Sequence, residues 1–418
     1  MNEPLPGGRR ILLVAYYYPP LNSIGARRPY ALAKWLRRRG HDVTVLTSVL
    51  SGEAEDDAAT RVVRARDLLA TRLNWRSASR ATATGGNEGD WNPDPGIWGS
   101  IFVPDVQLVS WMPFAVGIAL RLHRQTPFDA VITTSPTEVV HAVGFALQRR
   151  GVTWVADLRD GWRFEAPRPD WPLAPQRRFD DMLERQTVRR ADAVVTVSDP
   201  LAEDLRRRHD VVVETITNGF DPEAAIADEP PAAAIDPAKL TLVHTGGLGG
   251  ERTLQPLLDA HARLVHEDRA LSGRVELVLA GQQTASERAM YARHPELVRH
   301  LGFVTRPESL ALQRAADVLV LVTSGARTGE ATGKLFEYLA TGRPIVVLGA
   351  GSAAGDIVAR TQTGIAIPTH DADAAMTALR KILAGELPAP APAAREPYAY
   401  PAIAERYEQL IERTIGGR

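Results

Sequence analysis

The sequence predicts an α/β protein made of two facing Rossmann-like domains with a cleft between them. Its 418 residues are too many for one compact core and suit two domains of roughly 200 residues each. Short β-branched runs alternate with longer amphipathic stretches, which is typical of βα units and a parallel sheet. This alternation stops at one proline-rich segment and starts again beyond it, so the pattern indicates two successive sheets.

In the first half, six short runs are predicted strands. They are Ile11–Ala15, Val43–Thr47, Ala130–Thr134, Thr153–Asp157, Ala193–Val197 and Val212–Ile216. Helical patterns lie between them, at Tyr30–Arg39, Val139–Arg149, Gln176–Arg190 and Leu201–Arg207. We therefore expect an N-terminal Rossmann-like domain over residues 1–222.

The segment 221–238 has no periodicity and is interrupted by prolines, so it is predicted to be the interdomain linker. Beyond it the predicted strands are Leu240–Thr245, Val275–Ala280, Val318–Val322, Ile345–Leu348 and Gly364–Ile367. The predicted helices are Leu254–Glu267, Pro307–Ala316, Lys334–Thr341 and Ala372–Leu383. These elements define a second Rossmann-like domain over residues 239–386, and a further proline-rich break at 387–397 precedes one last helix.

Composition narrows the classes of function. The 49 basic residues nearly balance the 50 acidic ones, so no global field favours nucleic acid as a partner, and any anion site must be local. The chain has no cysteine, which excludes disulfides, thiolate chemistry and cysteine metal sites. No spacing typical of metal ligands is visible, so we expect no metal.

The N-terminus lacks a signal-peptide core, and no apolar run approaches the roughly 20 residues that span a bilayer. We therefore expect a cytoplasmic protein. Membrane contact through Arg37–Arg39 is an alternative, but three arginines at a helix end more often face solvent and suit its negative pole. The segment 76–100 is interpreted as a mobile surface loop or as an acceptor-site flap, the latter because Trp91 and Trp98 could pack on sugar faces.

The segment Thr323–Gly349 combines a strand end, a Gly/Ser/Thr-rich loop and a helix. Thr332 is a candidate N-cap, and the free N–H groups of a helix start bind anions. Lys334 lies in the first turn, where the helix dipole disfavours a cation by roughly 0.3–1 kcal/mol, and a phosphate would compensate for this. Glu337 shares that helix face and could accept both hydroxyls of a ribose. The alternative is a surface ion pair between Lys334 and Glu337.

A second strand–turn–helix segment runs from Leu240 to Ala260. Its turn contains Gly246, Gly247, Gly249 and Gly250, which would let the backbone approach a ligand closely. Arg252 follows, where it could clamp a diphosphate. An ordinary tight turn is an equally good interpretation.

Two segments of the first half also follow predicted strands. Near the N-terminus, Gly25 and the adjacent arginines could face the cleft, or they could be an exposed basic helix start. The segment Val152–Trp162 places Asp157 and Asp160 at the carboxyl end of a strand, where ligands bind in open α/β sheets. These carboxylates suit acid/base chemistry or acceptor binding, and a structural salt-bridge network is the alternative.

Taken together, these segments resemble the family-four glycosyltransferases, which have the GT-B fold. The resemblance rests on motifs that occur in the family's order along nearly the whole chain. They are YYYPP with GARRP, TSPTEVVHAVG, VADLRDGW, ITNGFDPE, VHTGGLGGER, LGFVTRPESLALQRAADVLVL and TGKLFEYLATGRPIV.

The resemblance implies an enzyme that transfers a sugar from a nucleoside-diphosphate sugar, its co-substrate, with retention of anomeric configuration and without a prosthetic group or a required metal. The donor-binding residues would be Gly25, Gly247, Gly249, Arg252, Phe303, Val304, Thr332, Gly333, Lys334 and Glu337. The catalytic residues would be Arg252, Lys334, Asp157 and Asp160, and the acceptor would contact Arg159, Trp162 and Ser135. The final helix, within 398–418, would pack back on the first domain.

The sequence departs from the family in two places. The family commonly has two glutamates with seven residues between them, and this spacing before Glu337 reaches Gly329, so Glu330 is one residue out of register with the family's first glutamate and its role stays open. The lysine that usually follows Arg252 is absent, and Lys334 is expected to supply its charge.

The acceptor hydroxyl or amine is expected to belong to a bacterial natural product. The alternatives are a polysaccharide glycosyltransferase at the membrane face, an epimerase or pseudo-glycosyltransferase, and a nucleotide-sugar-binding protein without catalysis. The sequence leaves the sugar, the base and the oligomeric state open.

Overall fold

The protein consists of two α/β units, each built on a parallel β-sheet. The computed structural model describes residues 7–21, 24–49, 60–68, 110–166, 171, 173–224, 235–249, 251–388 and 390–417. The first unit extends to Thr217 and resumes at Tyr400, and the second extends from Asn218 to Ala399. The segment 76–100 and residues 225–234 of the linker lie outside the described residues, so their interpretations stay predictions.

The described residues of the first unit form a seven-stranded sheet with the order β3-β2-β1-β4-β5-β6-β7. The strands are β1 Arg10–Ala15, β2 Asp42–Ser48, β3 Arg61–Ala65, β4 Ala130–Thr134, β5 Thr153–Leu158, β6 Ala193–Thr196 and β7 Val213–Thr215. All their pairings are parallel. Strands β4 and β5 are buried along their whole length, as expected for strands covered by helices on both faces.

Helices connect these strands and cover the sheet. They are α1 Ile24–Arg38, α2 Met112–Gln125, α3 His141–Gln148, α4 Ala174–Arg190 and α5 Asp199–His209. A single 3₁₀ turn, Glu138–Val140, leads into α3. The order of the strands reverses between β1 and β4, and such a switch point is where open α/β sheets bind ligands.

The second unit has a six-stranded parallel sheet with the order β10-β9-β8-β11-β12-β13. The strands are β8 Leu240–Thr245, β9 Val275–Ala280, β10 Val298–Gly302, β11 Val318–Val322, β12 Ile345–Leu348 and β13 Gly364–Ile367. The helices are α6 Gln255–Glu267, α7 Ala285–Tyr291, α8 Arg306–Ala315, α9 Gly333–Thr341, α10 Ala353–Thr361, α11 Ala372–Leu383 and the single turn α12 Pro392–Arg395.

The last helix, α13 Tyr400–Gly416, belongs to the first unit. Its Ile403, Tyr407 and Ile411 share one buried cluster with Leu32 and Leu36 of α1. The apolar faces of the two helices therefore bury each other against the sheet.

The predicted α/β class with parallel sheets is confirmed. The predicted bounds of β8, β9, β11, β12 and β13 are those observed. The predictions missed β3, β10, α2, α7, α10 and the single turn α12. Both missed strands lie at sheet edges and are only partly buried, so they lack the apolar runs that revealed the central strands. Within the described ranges, no helix is both long and apolar enough to cross a membrane.

Candidate functional site

The carboxyl ends of β8, β9 and β10 are joined by two backbone hydrogen bonds. Gly246 N–H donates to the carbonyl of Ala280 over 2.6 Å, and Gly281 N–H donates to the carbonyl of Gly302 over 2.8 Å. Gly281 has a φ of 147°, and a Cβ there would lie 2.6 Å from the backbone carbon of Gly246. Glycine is therefore required for the two chain segments to approach this closely.

Helix α9 begins at the same edge of this sheet. Thr332 precedes it in an extended conformation, but its hydroxyl makes no capping hydrogen bond, and Oγ1 is buried without a partner among the described residues. Thr332 therefore is the N-cap residue, as expected, but its side chain does not cap the helix. The first-turn N–H groups, starting with Gly333, are not capped by this hydroxyl, and this favours an anion at that position.

Lys334 extends from α9 across the glycine turn. Its Nζ donates to the carbonyl oxygen of Gly247 over 3.0 Å, and a Cβ on Gly246 would lie only 2.7 Å from its Cε. Burial, with the nearby Arg252 cation, lowers the pKa of Lys334 to about 8, although Glu337 and Glu330 act in the opposite direction. Two cations are therefore held close together in a place where the lysine charge is poorly solvated.

Glu330 lies within this cluster. Arg252 donates from Nε to Oε1 of Glu330 over 3.1 Å, its Nη2 donates to the same oxygen, and its Nη1 donates to the carbonyl of Leu248 over 2.9 Å. The second oxygen of Glu330 accepts from Ser324 N–H over 2.9 Å. Glu330, whose role the sequence left open, thus orients Arg252. The hydrogen bonds to Glu330 and to the Leu248 carbonyl hold the guanidinium of Arg252 against the glycine turn.

His244 lies beneath the same cluster. Its Nδ1 is 2.9 Å from the carbonyl oxygen of Val320, and the ring is almost fully buried. Burial, together with the charges of Lys334 and Arg252, lowers the pKa of His244 to about 3, so the imidazole is neutral at pH 7. This ring therefore adds no charge to the cluster at pH 7.

Glu337 lies one turn further along α9 and keeps 17% of its side chain exposed. Its Oε1 is 3.5 Å from Nη2 of Arg306, at the start of α8. The next residue, Tyr338, faces inward, and its hydroxyl accepts from Thr245 N–H over 3.0 Å. That bond ties α9 to the end of β8. The contact between Glu337 and Arg306 could not be predicted, because these two residues are far apart in the sequence.

Phe303 and Val304 follow the end of β10, next to Gly302. Phe303 is 76% exposed, whereas Val304 packs on the buried cluster around Phe336. Only Phe303 therefore offers a free apolar surface. The predicted role of both residues in donor binding stays a prediction.

In the first unit, Asp157 is completely buried and forms an ion pair with Arg28. Oδ2 accepts from Arg28 Nε over 3.0 Å and from the Thr134 hydroxyl over 2.7 Å, and Oδ1 accepts from Arg28 Nη2 over 3.1 Å. Arg28 Nη2 also donates to the hydroxyl of Tyr407 and to the carbonyl of Ile216. Because Asp157 is completely buried, the expected contact between its carboxylate and an acceptor does not fit the structure. The alternative interpretation, a structural salt-bridge network, describes the surroundings of Asp157.

Arg159 and Ser135 are also held by the protein itself. The guanidinium of Arg159 donates to the carbonyl of Gly25 over 2.8 Å, and its backbone N–H donates to the hydroxyl of the buried Ser135 over 3.1 Å. Gly25 thus anchors Arg159 through its carbonyl in the first turn of α1. Asp160 is half-buried beside Arg159, so of the two predicted carboxylates it is the accessible one.

Trp162 is buried rather than exposed at the surface. Its Nε1 donates to Oδ1 of Asp180 on α4 over 3.0 Å, and its ring stacks on His141. The indole therefore packs beneath α4 instead of lying at the surface, and its predicted contact with an acceptor stays a prediction.

Two family models match the chain. Residues 25–219 match the model described as glycosyl transferase 4-like domain, and residues 239–385 match the one described as glycosyl transferases group 1. Together with the two parallel-sheet units, these matches define a glycosyltransferase of the GT-B fold. The chain belongs to the family-four-like glycosyltransferases and is a transferase.

Solved structures share the fold. Sucrose-phosphate synthase from Thermosynechococcus elongatus is 17% identical, with a TM-score of 0.63 over 98% of this chain and 100% of that one. A UDP-forming alpha,alpha-trehalose-phosphate synthase from Burkholderia vietnamiensis is 13% identical, with a TM-score of 0.63 over 98% and 100%. Anabaena Alr3699/HepE, solved in complex with UDP, is 14% identical, with a TM-score of 0.57 over 97% and 100%. Among curated proteins, none matches the chain.

Proposed function

We propose that the second unit binds the diphosphate of a nucleoside-diphosphate sugar between the glycine turn at Gly246–Gly247 and the start of α9. The observation that carries this proposal is the position of Lys334, which is largely buried, bonded to the Gly247 carbonyl and close to the Arg252 cation. Burial disfavours the charge of Lys334 at this helix start, where Arg252 is already paired with Glu330, and a diphosphate would stabilise the lysine cation. The UDP complex of the Anabaena relative supports the same class of ligand.

Within this proposal Glu337 accepts the hydroxyls of the ribose. Its carboxylate lies on the same helix as Lys334, three residues further along, and is partly exposed. That spacing supports a nucleotide laid along α9, with its phosphates at the helix start. Phe303, exposed beyond β10, provides an apolar surface for the base.

We propose that transfer retains the anomeric configuration through attack on the front face of the sugar. The acceptor oxygen forms a bond to the anomeric carbon while the bond from that carbon to the diphosphate oxygen breaks. The proton of the acceptor hydroxyl passes to an oxygen of the departing diphosphate, so the products are a glycoside and a nucleoside diphosphate. Lys334, Arg252 and the N–H groups of α9 stabilise the charge that develops on this leaving group.

For the acceptor we propose a hydroxyl or amine of a small molecule, as in natural-product tailoring. The accessible carboxylate of Asp160 follows β5, at the carboxyl edge of the first sheet, and supports a polar acceptor group.

The experiment is a thermal-shift panel with UDP, GDP, ADP and dTDP, run on the wild type and on Lys334→Glu. One diphosphate at 100 times its Kd should stabilise the wild type by about 2.7 kcal/mol and leave the variant unchanged. If no diphosphate shifts the wild-type melting temperature, the donor site is refuted. NMR analysis of the product with the matching donor then tests retention, and an inverted anomeric centre would overturn the mechanism.

A further inference from the structure

The first unit contains a pocket that the proposed donor chemistry does not use. It lies between α3, α4 and the sheet and has a volume of about 200 Å³. Its lining is mostly apolar and consists of side chains of the 3₁₀ turn, α3, β5, α4 and the loop after β5. Val139 and Trp162, which follow the ends of β4 and β5, place it toward the carboxyl edge of the sheet, where such folds bind ligands.

His141 lines this pocket together with three other polar residues, Glu138, Gln186 and Thr187. His141 is 2% exposed, and its Nε2 has no hydrogen-bond partner among the described residues. Its Nδ1 lies 2.8 Å from the hydroxyl of Thr133, whose oxygen already accepts from Trp154 Nε1 over 2.8 Å. The Thr133 hydroxyl then directs its own proton to Nδ1, so we assign the imidazole proton to Nε2.

The charge of His141 follows from its surroundings. Burial lowers the pKa of His141 to about 4, against a smaller opposing effect of the Asp157 carboxylate. The ring is therefore neutral at pH 7, and it offers one N–H donor and no charge. A buried donor without a partner is costly, which favours a ligand that accepts a hydrogen bond.

Aromatic rings form two walls of the pocket. The ring of Trp162 stacks on His141 with 6.0 Å between centroids and 23° between planes, and Asp180 holds it in place. Trp154 crosses α3 at Gly144, where a Cβ would lie 2.1 Å from the indole Nε1. Glycine at that position thus makes room for the indole. Flat rings fixed in this way suit a flat, apolar occupant.

We propose that this pocket binds a neutral aromatic group with one hydrogen-bond acceptor, and that this group belongs to the acceptor substrate. The assignment to the acceptor rests on the proposed glycosyl transfer. An anion is disfavoured, because the lining offers a neutral imidazole in place of a cation. The size fits a single substituted ring, since an apolar cavity of about 150 Å³ binds benzene.

The test uses two probes of the same shape, acetophenone and α-methylstyrene, of which only the first has a hydrogen-bond acceptor. By calorimetry, acetophenone should bind the wild type about tenfold more tightly than α-methylstyrene, the effect of one neutral hydrogen bond. In His141→Phe the two probes should bind equally. His141→Gln, which keeps an N–H donor, should restore part of the preference.

A second variant makes the result independent of His141. Leu183 of α4 lines the pocket, and Leu183→Trp should fill it and abolish binding of both probes. The neighbouring Met182 is 43% exposed and outside the lining, so Met182→Trp is the matched control and should bind both probes like the wild type. Failure of both probes to bind the wild type, or unchanged binding in Leu183→Trp, would refute the pocket as a ligand site.

Acetophenone should also inhibit glycosyl transfer in competition with the acceptor and not with the donor. Competition with the donor, or no inhibition, would refute the assignment to the acceptor. The thermal-shift panel with nucleotides keeps the two proposals apart. Nucleotide binding without probe binding rejects the pocket alone, whereas probe binding without nucleotide binding rejects the donor site and leaves a ligand pocket of another function.

Discussion

The ammonium group of Lys334 donates to the backbone carbonyl of Gly247 over 3.0 Å and thereby joins the start of α9 to the turn after β8. The contact depends on Gly246, because any side chain at that position would collide with the lysine. A glycine turn and a helix start, each a weak signal alone, thus form one candidate donor site.

Reversing the charge of Lys334 should disable this site while the fold persists. We expect Lys334→Glu to raise donor KM at least about tenfold or to abolish turnover, because an anion would then face the diphosphate. Steady-state kinetics with varied donor measures the effect, and circular dichroism checks the fold. Lys381→Glu, at an exposed position on α11, is the control and should behave like the wild type. Equal donor KM in both variants would contradict the role of Lys334.

Donor affinity should decrease as the pH rises through about 8. Lys334 is protonated below that pH and loses its proton above it, because burial and Arg252 lower its pKa to about 8. Each pH unit above 8 should weaken binding by up to about tenfold. The decrease should end above the pKa that Lys334 has in the donor complex, which the bound diphosphate raises. Calorimetric titration of the nucleoside diphosphate between pH 7 and 10 measures the slope.

Lys334→Arg is the control for this pH dependence, since a guanidinium keeps its charge, and the affinity of this variant should not change with pH.

The stability of the ligand-free protein should respond to pH in the opposite direction. Because the folded pKa of Lys334 lies below the ordinary value of 10.5, the unfolded chain binds more protons between pH 8 and 10.5, and this lysine makes unfolding harder as the pH rises. A wild-type affinity that is constant over this range would exclude Lys334 as a diphosphate ligand.

Glu337→Gln should weaken nucleotide binding and leave pyrophosphate binding unchanged. Hydrogen bonds to a charged group contribute about 1.5–3 kcal/mol, so we expect the Kd of the nucleoside diphosphate to rise about tenfold or more. Pyrophosphate has no ribose and serves as the control ligand. Glu386→Gln, at an exposed position after α11, is the control variant. An equal loss for both ligands would indicate that Glu337 acts on the phosphates or on the fold.

The Arg28–Asp157 pair should contribute to stability rather than to acceptor binding. Asp157→Asn leaves the buried guanidinium without its counter-charge, and breaking a buried pair costs about 3–5 kcal/mol. Urea denaturation measures the change in the free energy of unfolding. Asp160→Asn, at the accessible carboxylate nearby, should change it by less than about 1 kcal/mol and should raise acceptor KM. A stable Asp157→Asn variant with a raised acceptor KM would reverse this assignment.

Local pattern revealed the central strands and several helices. β8, β9, β11 and β12 are short runs rich in aliphatic and β-branched residues, which is typical of buried parallel strands, and their bounds could be read from the chain. Two missed helices did carry readable signals. Thr284 and Glu287 form a capping box at the start of α7, and Ser352 caps α10 by accepting from Gly355 N–H. Both helices are short, so their periodicity was too weak to reveal them.

Side-chain partners at the sites were beyond the sequence. Arg252 and Glu330 are 78 positions apart in the chain and lie in the loops after β8 and β11, so no local pattern shows that they meet. Glu330 did not align with the family's glutamate, yet its carboxylate orients Arg252. Conversely, Asp157 has the residue type and location of a functional carboxylate, and only its burial against Arg28 shows its structural role.

The sequence by itself determined the two parallel sheets, the membership in a glycosyltransferase family, and the residues at the start of α9. These depend on interactions between near neighbours, namely the alternation of apolar residues and the order of short motifs. The tertiary structure alone decided which charges share a site and which are buried together. It also decided that His141, whose buried Nε2 has no partner among the described residues, lines a pocket with aromatic walls. Burial and pairing depend on segments far apart in the chain, and no local pattern contains them.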